Sequence, residues 1–537
     1  MVKQILLISG PVASGKTTLS RLLKERFGIH TFKTREYLRK LKPEVEAERT
    51  AMQEFGERLD RKTKGEWVCE GLERFIRSEA IEDSAIVAVD AVRIAEQIAA
   101  VRRAYGPRVV HVHLDAPLDT LTKRYAGRSD DVLRELPSYE EVQKNPTERK
   151  VGKLREKADV VIDTRRCAPK DVMVKAASFL GFYGREYLRL VDVLVGGQYG
   201  SEGKGHIASY LAREYDVLVR VGGPNAGHTV FSESPITFHH LPSGSLSSPN
   251  ALLVIGAGAT IFVPELLREM NSSSIEAGRL VIDPQAMIIS EEDREWERKH
   301  LAQTMGSTAQ GVGAAAARRI KWRKPGEVKL ARDLRELKPF MKETCEVLED
   351  AYRAGERVLL EGTQGTGLSL YHGTYPYVTS RDTTVAGCLA EAGISPSRTR
   401  KVIVVCRTYP IRVESPEDAT SGPMGREIDW SEVETRSRQP AGTLAPKELT
   451  STTRRKRRVG EFEWISLRKA ASLNAPTDIA LTFVDYIHKQ NERARRFEQL
   501  TSDTIRFIEE VERVAAAPVS LISTRFDYRS IIDRRSW

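Results

Sequence analysis

Gly10-Pro11-Val12-Ala13-Ser14-Gly15-Lys16-Thr17, near the start of this 537-residue sequence, has the residue types and spacing of a loop that grips phosphate. Glycines let successive backbone N–H groups curl around phosphate oxygens, Lys16 would reach the terminal phosphates, and the Thr17 hydroxyl would hold Mg²⁺, with Thr18 just behind it. A second glycine-rich stretch follows much later, Gly196-Gly197-Gln198-Tyr199-Gly200-Ser201-Glu202-Gly203-Lys204-Gly205. Asp90, which ends the apolar run Ala85–Val89, reads either as a carboxylate that holds Mg²⁺ or orients an acceptor, or as a strand-end turn residue. Arg124 and Arg128 follow the run Val109–Leu114 and the turn Asp115-Ala116-Pro117. They read either as arginines that close over a transferring phosphate or as solvated surface charges.

Both glycine loops sit between an apolar strand and an amphipathic helix. Gln4–Ser9 precedes the first, and a helix is expected from Leu19 to Arg26; Leu190–Val195 precedes the second, with a helix from Ile207 to Arg213. Between them Ala85–Val89, Val109–Leu114 and Val160–Ile162 alternate with helical patterns, which predicts βαβ units and a parallel sheet. A last helix of this part is expected over Lys170–Leu180. The alternation resumes with Val217–Val221, Leu252–Ile255, Val358–Leu360, Val402–Val405 and Ile479–Phe483. The class is α/β throughout, with a boundary near Gly181–Arg189 that divides the chain into domains 1–182 and 190–537.

The length calls for more than one core. No run reaches the roughly 18 apolar residues of a membrane span, so no membrane partner is expected. Met1–Ser9 reads as a first strand rather than a signal peptide. The five scattered cysteines form no CxxC pair, which points to a reducing, cytoplasmic setting. The net charge of +10 fits a nucleic-acid binder or an enzyme that handles several anions. The densest basic run, Arg454-Arg455-Lys456-Arg457-Arg458, could by composition be a nucleic-acid patch.

With Thr34-Arg35-Glu36 and Gln53-Glu54-Phe55-Gly56, the amino-terminal part resembles the nucleoside-monophosphate and dephospho-CoA kinase group of P-loop proteins. That resemblance implies phosphotransfer to an acceptor it does not identify. The later part resembles adenylosuccinate synthetases. The second glycine loop looks like their opening loop, Gly222-Gly223-Pro224-Asn225-Ala226-Gly227-His228-Thr229 like their second signature, and Glu361-Gly362-Thr363-Gln364-Gly365-Thr366 with His372-Gly373-Thr374-Tyr375-Pro376-Tyr377-Val378-Thr379-Ser380 like their third. The string Arg407-Thr408-Tyr409-Pro410-Ile411-Arg412 looks like archaeal and phage members.

That resemblance implies a purine ligase whose substrates are L-aspartate and a 6-oxopurine monophosphate. A nucleoside triphosphate first phosphorylates O6, and the aspartate amine then displaces the phosphate. His228 is implied as the acid or electrophile at O6, with Ser201, Lys204 and Gln364 the other residues of the reacting centre. Gly200, Glu202, Gly203, Lys204 and Gly205 are implied to cradle the triphosphate, Asp485 to read its base, and the Gly227 carbonyl to ligate Mg²⁺ together with position 201. Asn225, Ser307, Thr308, Thr379, Gln364 and Arg412 are implied around the purine nucleotide. Ser451-Thr452-Thr453-Arg454-Arg455-Lys456-Arg457-Arg458 resembles the mobile aspartate-binding loop, in which Thr452, Thr453, Arg455 and Arg457 would hold the carboxylates. This makes stable nucleic-acid binding the weaker reading of the basic run. The family also sends an arginine across a homodimer interface; Arg318, Arg319 and Arg323 compete for that role.

Five places depart from the family pattern. Ser201 stands where members usually carry an aspartate that ligates Mg²⁺ and takes the N1 proton. Phage enzymes that make 2-aminoadenine nucleotides from dGMP carry a small residue there, which makes room for a 2-amino group. Phe483, in Thr482-Phe483-Val484-Asp485, replaces a lysine that covers guanine, and Ser523-Thr524-Arg525-Phe526 replaces a Ser-Thr-Gly-Pro string. Those two changes weaken the case for guanine specificity and admit ATP or dATP beside GTP as donor. Gln310 and Arg454 also differ from common family residues. The leading expectation is therefore a ligase acting on dGMP or GMP, fused to a nucleotide kinase. An ordinary ligase acting on IMP with GTP, or a purine sensor without turnover, is the alternative.

Overall fold

The computed structural model of the chain describes residues 2–43, 49–127, 136–183, 187–231, 235–323, 326–451, 453–527 and 530–535. The chain divides into two compact units, Met1–Glu186 and Tyr187–Trp537.

The first unit is built on a five-stranded parallel sheet in the order His30–Lys33, Ile86–Asp90, Gln4–Ser9, Val109–Asp115, Val160–Asp163. Side chains of a strand alternate between its two faces, and here both faces are covered. Ile5, Leu7, Val87 and Val89 pack with Trp67, Val68 and Leu72 on one side. Leu6, Ile8, Ala88 and Val112 pack with Leu19, Leu23 and Val172 on the other. Double-sided burial explains why these strands read as unbroken apolar runs. The helix after the first glycine loop starts at Lys16, three residues earlier than expected, because Gly15 takes a left-handed turn (φ 99°) that aims the helix N-terminus into the loop.

The second unit carries a nine-stranded sheet. Its order is Leu280–Ile282, Leu252–Ile255, Val217–Arg220, Val358–Gly365, Val191–Gly196, Thr399–Arg407, Asp478–Thr482, Val519–Ser523, Ile531–Asp533. Only the last pair is antiparallel. Val191, Val193 and Val195 face a layer containing Leu348, Leu389, Leu467 and Ile508. Leu194, Ile403 and Val405 face one containing Ile207, Leu211 and Leu266. The helix after the second loop runs Lys204–Leu211, again entered through a left-handed glycine, Gly203. In each unit the glycine loop leaves the carboxyl end of a central strand, where crevices of open α/β sheets form.

Candidate active site

In the second unit the loop Gly196–Gly205 is braced from inside. Glu202 is fully buried; its Oε1 accepts the N–H groups of Gln198 (3.1 Å) and Gly200 (2.8 Å), and its Oε2 lies 2.5 Å from Lys204 Nζ. The carboxylate holds the loop open as a nest and fixes the ammonium at the helix N-terminus, where an anion is favoured. Gly200, Ser201 and Gly203 all have φ above +50°. For Ser201 that conformation costs about 1–2 kcal/mol, a strain that the surrounding contacts must hold in place.

His228 opens a short strand that runs to Val230, and Glu361 lies in the strand Val358–Gly365. Their side chains meet at 2.5 Å, Nδ1 to Oε1, in a buried setting. The same carboxylate accepts the Ser243 backbone N–H (2.7 Å) and hydroxyl, and one Arg220 nitrogen at 3.4 Å. Burial works against the Glu361 charge, but Arg220 and the bonds from His228 and Ser243 prevail and hold it down to about 2. Burial, and after it Arg220, press His228 down to about 4. The resting pair is a neutral imidazole donating Nδ1–H to a carboxylate, which leaves Nε2 as the ring nitrogen outside this pair.

Gln364 donates to Asn225 Oδ1 over 2.8 Å, and Asn225 donates to the Thr379 hydroxyl over 3.4 Å, so these three form one polar chain. The Ser307 hydroxyl accepts the Ala309 N–H, and Gln310 donates to the Thr308 carbonyl. Arg455 donates to the Gly306 carbonyl at 3.2 Å, which places the basic hairpin against this turn. That hairpin closes through the Leu449–Lys456 bridge, and within it the Thr450 and Thr453 hydroxyls bond at 2.8 Å. Ser451 donates to the Gly227 carbonyl at 2.9 Å. Arg457 donates to the Ser201 hydroxyl at 3.2 Å and to Glu448 at 2.8 Å. Thr452 lies outside the described residues.

Thr482 donates to the Glu202 carbonyl at 2.7 Å, and the Phe483 ring lies close to Gly203. Asp485 is buried, and its Oδ1 has no hydrogen-bond partner. Burial pushes its carboxyl up to about 8. Buried polar atoms are nearly always bonded, so Asp485 Oδ1 stands out as an acceptor without a partner among the described residues.

Two expected arginines are engaged elsewhere. Arg412 gives its nitrogens to the carbonyls of Ser421, Pro423 and Tyr377 and stacks on Tyr199, so it braces the wall of the site rather than presenting a free fork. Arg318 is ion-paired with Asp293 (2.5 Å), while Arg319 donates to the Gln285 carbonyl and Arg323 is exposed. Of the three arginines expected to compete for a cross-dimer role, Arg319 and Arg323 are the ones without an ion pair among the described residues. Missed by sequence reasoning were Arg220, Ser243, Arg407 and Glu448, for which no local spacing gives a signal. Glu361 was visible only as the first letter of the third signature.

In the first unit, Lys16 Nζ rests on the Gly10 and Pro11 carbonyls, each at 2.7 Å, and the Thr17 side chain is exposed. Asp90 pairs in register with Ile8 and with Lys33 on either side, at the mouth of the loop. Burial raises its carboxyl above the usual range, against the pull of Lys16, Lys33 and Arg93. Arg124 donates to the Thr164 hydroxyl and carbonyl, so it is tied to the sheet edge. Arg128 lies outside the described residues.

A sequence profile of the adenylosuccinate synthetase family matches residues 193–331 and 327–492, together more than half of the chain. The adenylosuccinate synthetase of Methanocaldococcus jannaschii is 39% identical over 352 residues, which cover 64% of this chain and 96% of that protein. The chain belongs to the adenylosuccinate synthetase family. The Plasmodium falciparum adenylosuccinate synthetase structure shares the fold, with a TM-score of 0.56 at 21% identity over 64% of this chain and all of that one. The cyanophage S-2L succinoaminodeoxyadenylate synthetase (PurZ), solved with dGMP and with dATP as an energy donor, gives a TM-score of 0.54 at 27% identity over 65% of this chain and 96% of that one. A profile described as an AAA domain matches residues 6–144. This adenylosuccinate synthetase-type ligase thus carries an amino-terminal P-loop domain. No helix among the described residues is long and apolar enough to cross a membrane.

Proposed function

We propose that the synthetase unit condenses L-aspartate with C6 of dGMP or GMP, giving a 2-amino-adenylosuccinate-type product, and that the P-loop unit transfers phosphate to a related nucleoside monophosphate. Ser201 carries the first assignment. Its side chain is short and neutral, and it is bonded to Arg457 rather than offered as a base. An aspartate here would set a carboxylate beside N1 and C2 of the purine, where a 2-amino group needs space. The likeness to a phage synthetase solved with dGMP supports the same reading.

The residues divide the work as follows. Lys204 and the loop amides neutralise the donor's terminal phosphates while O6 attacks the γ-phosphorus, the nucleoside diphosphate leaves, and the N1 proton passes to a water molecule, since the Ser201 hydroxyl is too weak a base to take it. His228, oriented by Glu361, meets the charge that develops at O6 and then serves the departing phosphate as the aspartate amine attacks C6. Bound polyanions raise the His228 affinity for a proton, opposing the burial that lowers it. Asn225, Gln364 and Thr379 fix the nucleotide. Arg455 and Arg457 take the aspartate carboxylates, for which a guanidinium fork is suited. The Gly227 carbonyl and Ser201 hydroxyl are oxygen donors of the kind Mg²⁺ takes, and the ion would neutralise phosphate charge there. Phe483, in place of a lysine, supports ATP or dATP as donor.

For the P-loop unit, a cavity of about 580 Å³ borders the loop at Pro11 and is lined by Ala116, Leu121, Tyr139, Lys144 and Arg149. That size suits a nucleotide-like ligand. Replacing Ser201 by Asp tests the ligase assignment. We expect turnover of dGMP to fall about tenfold or more and that of IMP to rise, since one misplaced group in a pocket costs about 1–3 kcal/mol. Unchanged preference would refute the role of position 201. Lys16→Met should abolish diphosphate formation and leave succinylation intact.

A further inference from the structure

Glu448 stands at the root of the basic hairpin, just before the Leu449–Lys456 bridge that closes it. It is 2% exposed. Four contacts converge on its carboxylate. Arg457, at the other root of the hairpin, donates to Oε2 at 2.8 Å. Arg407 donates to Oε1 at 2.8 Å and approaches Oε2 at 3.5 Å, and the Tyr486 hydroxyl donates to Oε1 at 2.8 Å.

Each of those partners leads to a different part of the site. The Arg407 guanidinium lies 4.1 Å over the Phe483 ring, and its Nη1 reaches the Ser201 carbonyl at 3.4 Å. Tyr486 packs on the same ring, with centroids 5.2 Å apart, and flanks Asp485. Arg457 goes on to the Ser201 hydroxyl at 3.2 Å. A single buried carboxylate therefore joins the segment that would receive the donor's base to the hairpin that would receive aspartate. The centre of the path is sheltered, with Arg407 fully buried and Glu448 and Tyr486 nearly so, while Phe483 and Arg457 at its ends are partly exposed. Charge pairs in such a setting are screened little, and each holds the geometry of the next.

We propose that Glu448 is a positioning residue that couples the two ligand sites, so that nucleoside triphosphate and aspartate bind cooperatively. A base seated against Phe483 and Asp485 holds the Arg407 stack, Arg407 and Tyr486 hold Glu448, and Glu448 sets the Arg457 fork in the orientation that a carboxylate needs. Aspartate gripping Arg457 acts back along the same bonds. By linkage the two effects are equal in size. Glu448 itself touches no substrate. The inference rests on the assignment of the aspartate loop and the base segment given above.

The test is equilibrium binding to the full chain with Mg²⁺ and the purine monophosphate it turns over. The β,γ-imido analogues of ATP and GTP are titrated with and without aspartate, and aspartate with and without the analogue. We expect each ligand to tighten the other by about tenfold, within the usual range of coupling between sites. In Tyr486→Phe, which keeps every charge and ring, that factor should fall to about threefold or less. In Glu448→Gln it should approach 1, about the value of independent sites. Glu448→Gln leaves two guanidiniums without their carboxylate and risks misfolding, so Tyr486→Phe decides the matter if it does. A native coupling factor near 1, or full coupling in a folded variant, overturns the proposal. Arg455→Ala separates the two layers: Arg455 lies in the hairpin but outside the Glu448 network. If that variant binds aspartate normally, the loop assignment is what fails.

Discussion

His228 and Glu361 face each other across 2.5 Å, from the start of a short strand and the middle of the central sheet. The carboxylate fixes which ring nitrogen carries the proton, and the buried Arg220 keeps that carboxylate ionised; on the proposed mechanism the other nitrogen, Nε2, meets the substrate. His228→Asn should therefore lower kcat by about 10²–10⁴ while the affinity for the donor changes little. Glu361→Gln should lower kcat by a smaller factor, because the imidazole stays but loses its orienting acceptor. Steady-state kinetics with varied donor and aspartate check both. A His228→Asn variant with native kcat would remove this residue from the reacting centre.

Asp485 predicts a pH signature in donor choice. A base with two adjacent N–H donors, as in guanine, is read by the ionised carboxylate. The folded-state value of about 8 means that the group is mostly protonated near neutrality. GTP should bind more tightly as pH rises through about 8, where the carboxylate forms, whereas ATP should not gain. Michaelis constants for both donors across that window measure it. Parallel curves for the two would exclude Asp485 as the base reader. Phe483→Lys should move the preference toward GTP.

Under the first glycine loop, the Ser9 hydroxyl lies 2.7 Å from His111 Nε2 and 2.8 Å from His113 Nδ1, all three buried. His111 Nδ1 faces the Lys157 carbonyl at 3.2 Å. One proton order satisfies the chain: His113 Nδ1–H donates to Ser9, Ser9 donates to His111 Nε2, and His111 Nδ1–H donates to the carbonyl. Both rings are then neutral, as burial requires, and His113 is pushed down to about 4. Unfolded, each returns to about 6.5, so between those values the unfolded chain binds more protons. The stability of this unit should be full above about pH 6.5 and decline toward pH 4, with His113 alone contributing about 3 kcal/mol of that loss. Thermal melts of the unit's transition from pH 7 to 4.5 test this. His113→Gln should flatten the acid side.

The sequence made the loops legible because their chemistry is local: Gly15, Lys16, Gly203 and Lys204 carry it within a few residues. The alternating runs revealed the parallel sheets because strands buried on both faces must be apolar throughout. Short or edge strands, such as His30–Lys33, Leu280–Ile282 and Ile531–Asp533, lack that signature and were not anticipated. Arginines had no address in the sequence. Arg412 and Arg124 are committed to backbone carbonyls by packing that only the folded chain defines. Conversely, Arg407 and Glu448 lie 41 residues apart and acquire their role only when buried together. The departure at Ser201 was visible as a letter, and its bond to Arg457 was not.

The most direct test of the central claim is a single assay on the purified chain. Aspartate, Mg²⁺ and ATP or GTP are supplied with IMP, GMP, dIMP or dGMP, and the products are identified by mass. The account predicts a succinylated product from dGMP or GMP. Succinylation of IMP alone would contradict it and make the chain an ordinary adenylosuccinate synthetase that works without the usual aspartate at position 201.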